Sequence, residues 1–329
     1  MLLQEANKVN SIKEKLKKFD VKSLTLYIGA VLILIIFTVI CSINGKDFLT
    51  TSNIQNIISQ SAVIAVIGIG ASLVIITGGI DLSVGSVVGF VGIFAGVLVK
   101  AGVPLFATLL ICLAVGALVG AINGALVSYG KVPAFIVTLG TMQIVRGLTK
   151  VLTDGRPIAG FPESLAKITQ TEILGIPVVI LYVFALYALV MFTLKKTKFG
   201  RRIYAIGGNP NAAKLSGIKV QKIETLTYVI AGIFSVIGGI ILLSRLSYAD
   251  PNAGSSYELD AIAATVIGGI AMSGGKGKIG NTLVGALILG MLKCGLQILN
   301  VAVYYQTIIT GLVIIVAVYL DKAKERKAE

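Results

Sequence analysis

Long apolar runs recur along this sequence, and they constrain its fold more than any other feature. Ten segments are predicted to cross a bilayer, at residues 24–43, 54–78, 83–99, 104–129, 134–152, 176–194, 223–244, 258–272, 280–298 and 302–320. A helical crossing needs about 20 apolar residues at about 1.5 Å of rise each. The runs are continuous, whereas the strands of a membrane β-barrel alternate. The sequence therefore predicts an all-α, polytopic membrane protein with about ten transmembrane helices.

The distribution of charge predicts how these spans are oriented. The chain is 56% hydrophobic and 13% charged, with a net charge of +14. Lysine and arginine are concentrated in residues 1–23, 195–224 and 321–329. Because basic loops stay in the cytosol, residues 1–23 and 321–329 are predicted to be cytosolic segments flanking a membrane domain at 24–320. This pattern explains the charge by topology and contact with anionic lipid, so no nucleic-acid partner is predicted.

The third and eighth spans are short, and each is predicted to be either a half-crossing or a broken helix. The third begins within the motif GGIDLSVGSVVG at residues 78–89. Its glycines can end one helix, and Asp81 or Ser83 can cap the next. The motif is either a capped helix break or part of a gate near the cytosolic mouth, and both interpretations can hold. The residues assigned to it are Gly78, Gly79, Asp81, Ser83 and Gly85.

The eighth span begins with YELDAIAATVIGG at residues 257–269. Glu258 and Asp260 suit the positive end of a helix dipole, so a capped helix start at the outer face is predicted, with a proton or ion relay as the alternative. Uncharged polar residues within the spans are candidates for lining a pathway, and each is equally compatible with an interhelical hydrogen bond. These candidates are Asn123, Thr138, Thr141 and Gln143.

A short helix is predicted inside the basic loop 195–222. Asn209 suits the N-cap, Pro210 the first helical position, and Gly217 a left-handed stop. Ala212, Ala213, Leu215 and Ile218 are expected to form one small apolar face. The helix is too short to bind lipid strongly by itself. Docking to a soluble partner is therefore favoured over a position on the membrane surface.

The sequence offers little for catalysis. It contains no histidine, and its three cysteines lie in apolar runs without metal-ligand spacing. No G-x-x-x-x-G-K-[ST] phosphate loop is present, so the chain is not expected to hydrolyse ATP. The segment MSGGKGK at 272–278 is predicted to be a cytosolic turn. No catalytic residue, metal site or cofactor is predicted.

Three stretches carry a family resemblance: residues 78–89, 200–220 and 259–290. Together they resemble the permease subunits of bacterial ATP-binding-cassette sugar importers of the ribose type. The resemblance implies a fold similar to vitamin B12-importer permeases, a permease homodimer in the cytoplasmic membrane, a separate ATPase and an external sugar-binding protein. It also implies that residues 208–217 form the helix that couples to the ATPase. The residues expected at or near that contact are Asn209, Pro210, Ala212, Ala213, Leu215, Ser216 and Gly217.

The resemblance implies a monosaccharide as the transported solute, with ribose first. Xylose, galactose, autoinducer-2 and nucleosides are the alternatives within the same class. A secondary transporter driven by ions is the alternative from another class, and it would need ionisable sites near the middle of the membrane. A membrane scaffold that transports nothing is the third interpretation.

Overall fold

The computed structural model describes residues 21–173 and 175–326, and within these ranges the chain is mostly helical. Of the predicted cytosolic segments 1–23 and 321–329, residues 1–20 and 327–329 lie outside the described residues. The helices are α1 Val21–Ile43, α2 Thr51–Ile76, α3 Val84–Lys100, α4 Leu105–Ser128, α5 Ala134–Val151, α6 Glu163–Gln170, α7 Val178–Lys196, α8 Lys198–Gly208, α9 Pro210–Leu215, α10 Val220–Leu246, α11 Tyr257–Ile267, α12 Ile279–Ile298 and α13 Val303–Arg326.

Four two-residue strands tie the connecting loops together. β1 (Ile158–Ala159) pairs antiparallel with β4 (Tyr248–Ala249), with Ile158 opposite Ala249. β2 (Glu172–Ile173) pairs antiparallel with β3 (Ile176–Pro177). The β1–β4 pair joins the loop after α5 to the end of α10, and it lies beside α3 because Gly92 and Gly96 leave room for it.

Each of the ten predicted spans coincides with a helix, so the prediction of an all-α polytopic membrane protein is confirmed. Among the described residues, six helices are long and apolar enough to cross a membrane: α1, α2, α4, α7, α10 and α12. α3 is a shorter apolar helix of 17 residues. α11 has only 11 residues and ends at Gly268 and Gly269, the second of which has φ +82°. A helix of that length covers about 16 Å, roughly half of a bilayer core of about 30 Å.

The centre of the helical bundle is formed by α2 and α10. In the most apolar 18-residue stretch of each helix, 89% is buried in α2, whereas 11% is buried in α1 at the periphery. α10 packs on α4 through glycines spaced four apart, Gly116, Gly120 and Gly124. A Cβ added at Gly124 would lie 2.7 Å from the Thr225 Cα, so the two backbones approach to a distance that only glycine allows. The free cysteines Cys41, Cys112 and Cys294 are all buried.

Candidate functional site

The basic loop folds into two helices, α8 and α9, where the sequence predicted one. Asn209 caps α9, since its Oδ1 accepts a hydrogen bond from the Ala212 N–H at 2.9 Å, and Pro210 is the first helical residue. Gly217 follows the helix with φ +79°. These three local features agree with the sequence prediction, because a cap and a stop depend only on residues within one turn.

The apolar residues of α9 do not form a single face, and this part of the prediction is wrong. Ala213 is 4% exposed and belongs to the same buried core as Ile203 and Ile206 of α8, whereas Leu215 is 90% exposed. Ile218 is half-buried against that core, and Ala212 is exposed. The inward residues hold α9 to the protein. The outer face of α9 consists of Pro210, Asn211, Ala212, Lys214 and Leu215, and it continues into the exposed Ser216.

The end of α8 meets two other segments through backbone atoms. The Gly275 N–H donates to the Ile76 carbonyl at the end of α2, at 2.9 Å. Gly207 lies against both groups, and a Cβ there would overlap the Ile76 oxygen and the Gly275 nitrogen. A Cβ on Gly274 would lie 3.1 Å from both the Gly207 oxygen and the Gly78 nitrogen. We call Gly78, Gly207, Gly274 and Gly275 the glycine junction.

A side chain reinforces this junction. The Tyr204 hydroxyl of α8 donates to the Gly277 carbonyl at 2.9 Å. Burial raises the pKa of Tyr204, so the hydroxyl remains a neutral donor at physiological pH. The three segments that carried the family resemblance are thus in direct contact at one place, although they are far apart in the sequence.

The GGIDLS segment forms the predicted break between α2 and α3. Gly78 is left-handed, with φ +87°. The Asp81 Oδ1 accepts from the Ser83 N–H at 2.8 Å and from the Ser83 hydroxyl at 2.6 Å. Within the described structure the Ser83 side chain makes no capping hydrogen bond to α3, so that half of the prediction is wrong. Asp81 is outside both helices, and burial raises its pKa while the hydrogen bonds from Ser83 oppose that shift.

Hydrogen bonds connect the break to three of the four residues predicted to line a pathway. Asn123 Nδ2 donates to the Ser83 Oγ at 2.9 Å, and the Thr141 Oγ1 donates to the Asn123 Oδ1 at 2.6 Å. Thr138 Oγ1 donates to the Ile80 carbonyl at 3.3 Å. We call this chain of contacts the polar network. It joins the start of α3 to α4 and α5, whereas Gln143 is exposed on α5.

Two ion pairs hold the first turn of α11, and the sequence left both unassigned. Arg146 Nη2 of α5 binds the Glu258 Oε1 at 2.6 Å, and Lys293 of α12 binds the Asp260 Oδ2. Glu258 and Asp260 lie in the first turn of α11, where a helix start was predicted, and they are 6% and 1% exposed. The position of this helix start at the outer face stays a prediction. The signal in the sequence was the scarcity of charge, since few cations and few acids lie within the spans.

Comparison with known proteins gives the family. Residues 53–318 match the family described as branched-chain amino acid transport system / permease component. The chain is 45% identical over 314 residues to the ribose import permease protein RbsC of Haemophilus influenzae, covering 94% of this chain and 97% of that protein. It is 43% identical to the ribose import permease protein RbsC of Bacillus subtilis, covering 96% and 99%.

A third relative is the D-allose transport system permease protein AlsC of Escherichia coli, at 39% identity, with 88% of this chain and 89% of that protein covered. No solved structure matches the chain. The chain belongs to this family of membrane permeases, and the resemblance carried by the three motifs is confirmed.

Proposed function

We propose that this protein is the membrane permease of an ATP-driven importer and that its solute is a monosaccharide, with ribose first. The observation that carries the proposal is similarity over nearly the whole chain to permeases named for ribose, at 45% and 43% identity. Permeases named for allose and for galactose follow at 39% and 37%. Identity therefore falls as the sugar departs from ribose, which supports both the solute class and the choice within it.

The importer requires partners that supply energy and solute: an ATPase, an external sugar-binding protein and a second permease copy. The outer face of α9 supports the ATPase contact. Leu215 places a large apolar side chain in solvent at the end of a capped helix, where it can insert into a groove of a partner. Because the loop that carries it is basic, this surface is assigned to the cytosol, together with both termini.

Movement of α9 reaches the membrane domain through the glycine junction. Asn209 alone separates α9 from α8, and the end of α8 contacts the end of α2 and the turn before α12 by backbone atoms. Gly78 of the junction lies two residues before Ile80, which accepts from Thr138 in the polar network. Backbone packing deforms less than side-chain contact, so a displacement of α9 is transmitted to the break between α2 and α3.

The test is reconstitution of the complete importer in proteoliposomes with its ATPase and sugar-binding protein. We expect accumulation of ribose that depends on ATP inside the vesicle and on the binding protein outside. Uptake that persists without ATP and collapses with an ionophore would identify an ion-coupled transporter. The absence of uptake of any sugar, with both partners bound, would contradict the proposed function.

A further inference from the structure

The segment 250–256, between β4 and α11, follows α3 toward the first turn of that helix. Added Cβ atoms along α3 would meet Ile158 at Gly96, Ala249 at Gly92, Ala253 at Gly89, and Gly254 at Gly85. From Gly96 to Gly85 the helix rises by about 16 Å. That distance is roughly half of a bilayer core of about 30 Å. The chain thus runs along α3 from near the Lys100 end of the helix to Gly85 in its first turn, and there it turns into α11.

The turn has a shaped, non-helical backbone. Gly254 has φ +80° and Ser256 has φ +68°, and the Asn252 N–H donates to the Asp250 Oδ1 at 2.8 Å. Non-helical backbone at membrane depth is tolerated only where protein buries it or where it lines a water-filled cavity. Gly254 is buried, but Asn252 and Ser255 are exposed. This segment is therefore placed at the wall of an aqueous cavity.

A cavity of about 130 Å³ lies at this position, between α3, α5 and the turn. Its polar lining residues are Ser86, Arg146, Thr149, Lys150, Asn252 and Ser255. The side chain of Arg146 is 33% exposed. Arg146 lies about one turn from the end of α5, where a long cationic side chain reaches water more readily than at the centre of a bilayer. The cavity is therefore open to water at Arg146.

The chemistry of the wall is that of a site for hydroxyl groups. Arg146 binds one oxygen of Glu258, and the other, Oε2, is buried without a hydrogen-bond partner in the described structure. A buried carboxylate oxygen requires a donor. Glu258 packs against Gly85, next to Ser86. The lining of the cavity offers N–H donors from Arg146 and Asn252 beside the side-chain oxygens of Asn252 and Ser255. This set matches a polyol, whose hydroxyl groups on neighbouring carbons both donate and accept hydrogen bonds.

We propose that this cavity is a monosaccharide subsite within the permease, where sugar hydroxyl groups bind Arg146, Asn252 and Ser255 during transport. The inference rests on the proposed function for the class of solute. The cavity is smaller than the 300–1,000 Å³ of ordinary ligand pockets, so we expect it to bind a sugar weakly. Weak binding suits a transport step, because the sugar must leave the subsite again. Arg146, Lys150 and Glu258 together carry one net positive charge, which makes inorganic phosphate the competing ligand.

The test uses the permease alone in lipid nanodiscs, without ATPase or binding protein. Ribose binding is measured by saturation-transfer NMR at millimolar sugar, and phosphate binding by ³¹P line broadening. We expect ribose to bind the wild type, and Ser255→Ala and Asn252→Ala each to weaken binding roughly two- to tenfold, the loss of one hydrogen bond. Asn252 is exposed, so its variant keeps the fold. Asn211→Ala, an exposed amide on α9, is the matched control and leaves binding unchanged.

The outcomes separate this inference from the proposed function. If the complete importer accumulates ribose while the permease alone binds none, the subsite is overturned and the proposed function stands. Binding that is equal in Asn252→Ala and wild type, or tight binding of phosphate in place of ribose, also overturns the subsite. If the complete importer moves no sugar at all, the proposed function is contradicted, and the subsite loses the class of solute on which it rests.

Discussion

Two adjacent glycines in α8 provide a matched pair of substitutions that tests the glycine junction. A Cβ at Gly207 would overlap the Ile76 oxygen and the Gly275 nitrogen, which are themselves hydrogen-bonded. A Cβ at Gly208 would meet no heavy atom of the described residues within 4 Å. Both positions lie in the last turn of the same helix and lack a positive φ. Gly207→Ala and Gly208→Ala therefore differ only in whether the added methyl group fits.

The expected magnitude follows from the contacts. Overpacking costs about 1–3 kcal/mol, and separating Gly275 from Ile76 removes a hydrogen bond of about 0.5–1.5 kcal/mol. The intact junction is then disfavoured by about 1.5–4.5 kcal/mol in Gly207→Ala, or roughly tenfold to a thousandfold. Gly208→Ala gains up to about 1 kcal/mol in helix propensity and leaves the junction intact.

The assay is ATP-driven uptake in proteoliposomes, with ATP hydrolysis measured in parallel. We expect Gly207→Ala to retain the ATPase but to lose at least about nine-tenths of uptake, which raises the ATP consumed per sugar. Gly208→Ala is expected to stay close to wild type. Thermal unfolding of both variants in detergent controls for misfolding. Normal uptake in Gly207→Ala, or equal losses in both variants, would refute transmission through the junction.

The remaining predictions concern α9, the ion pairs and the topology. Leu215→Glu is expected to weaken ATPase binding by roughly ten- to a hundredfold, since burying a leucine contributes about 1.5–3 kcal/mol; unchanged co-purification would contradict the docking role. Ala213→Glu is expected to lower thermal stability instead, because the site is 4% exposed, and a folded variant would argue against the observed packing. Lys293→Met leaves Asp260 buried and unpaired, at a cost of about 3–5 kcal/mol, and adding Asp260→Asn should recover part of that loss in a thermal melt. A cysteine replacing Lys198 is expected to react with a membrane-impermeant reagent only from the cytosolic side; labelling from outside would invert the proposed topology.

Local signals made the membrane helices and the start of α9 predictable. Hydropathy is a property of one segment, and the Asn209 cap joins residues three apart in the sequence. The direction of each side chain on α9 was not predictable in the same way, since a helix of six residues is too short to show a period. Ala213 faces inward because α8 packs there, and nothing within the short helix itself distinguishes it from Ala212.

The glycine junction was beyond prediction for a different physical reason. Its members come from the ends of α2 and α8 and from the turn before α12, and they meet by backbone atoms. A contact without side chains leaves no pattern of hydrophobicity or charge in the sequence, and the chain has 38 glycines among which to choose. The ion pairs could be predicted in part, because few charged residues within the spans are available to pair. Which residues pair depends on how α5, α11 and α12 are arranged.

The polar network changes what the pathway candidates can do. Asn123 is fully buried, with its amide oxygen and nitrogen both hydrogen-bonded, and Thr138 is fully buried with its hydroxyl bonded to α5 and to the break. Side chains committed in this way hold helices together and present no free group to a passing solute. Solute contact along α5 is therefore left to exposed positions such as Gln143 and to the partly exposed Arg146. If α9 shifts the break through the glycine junction, the network is what must rearrange, so substitutions at Asn123 should alter coupling to ATP more than selectivity among sugars.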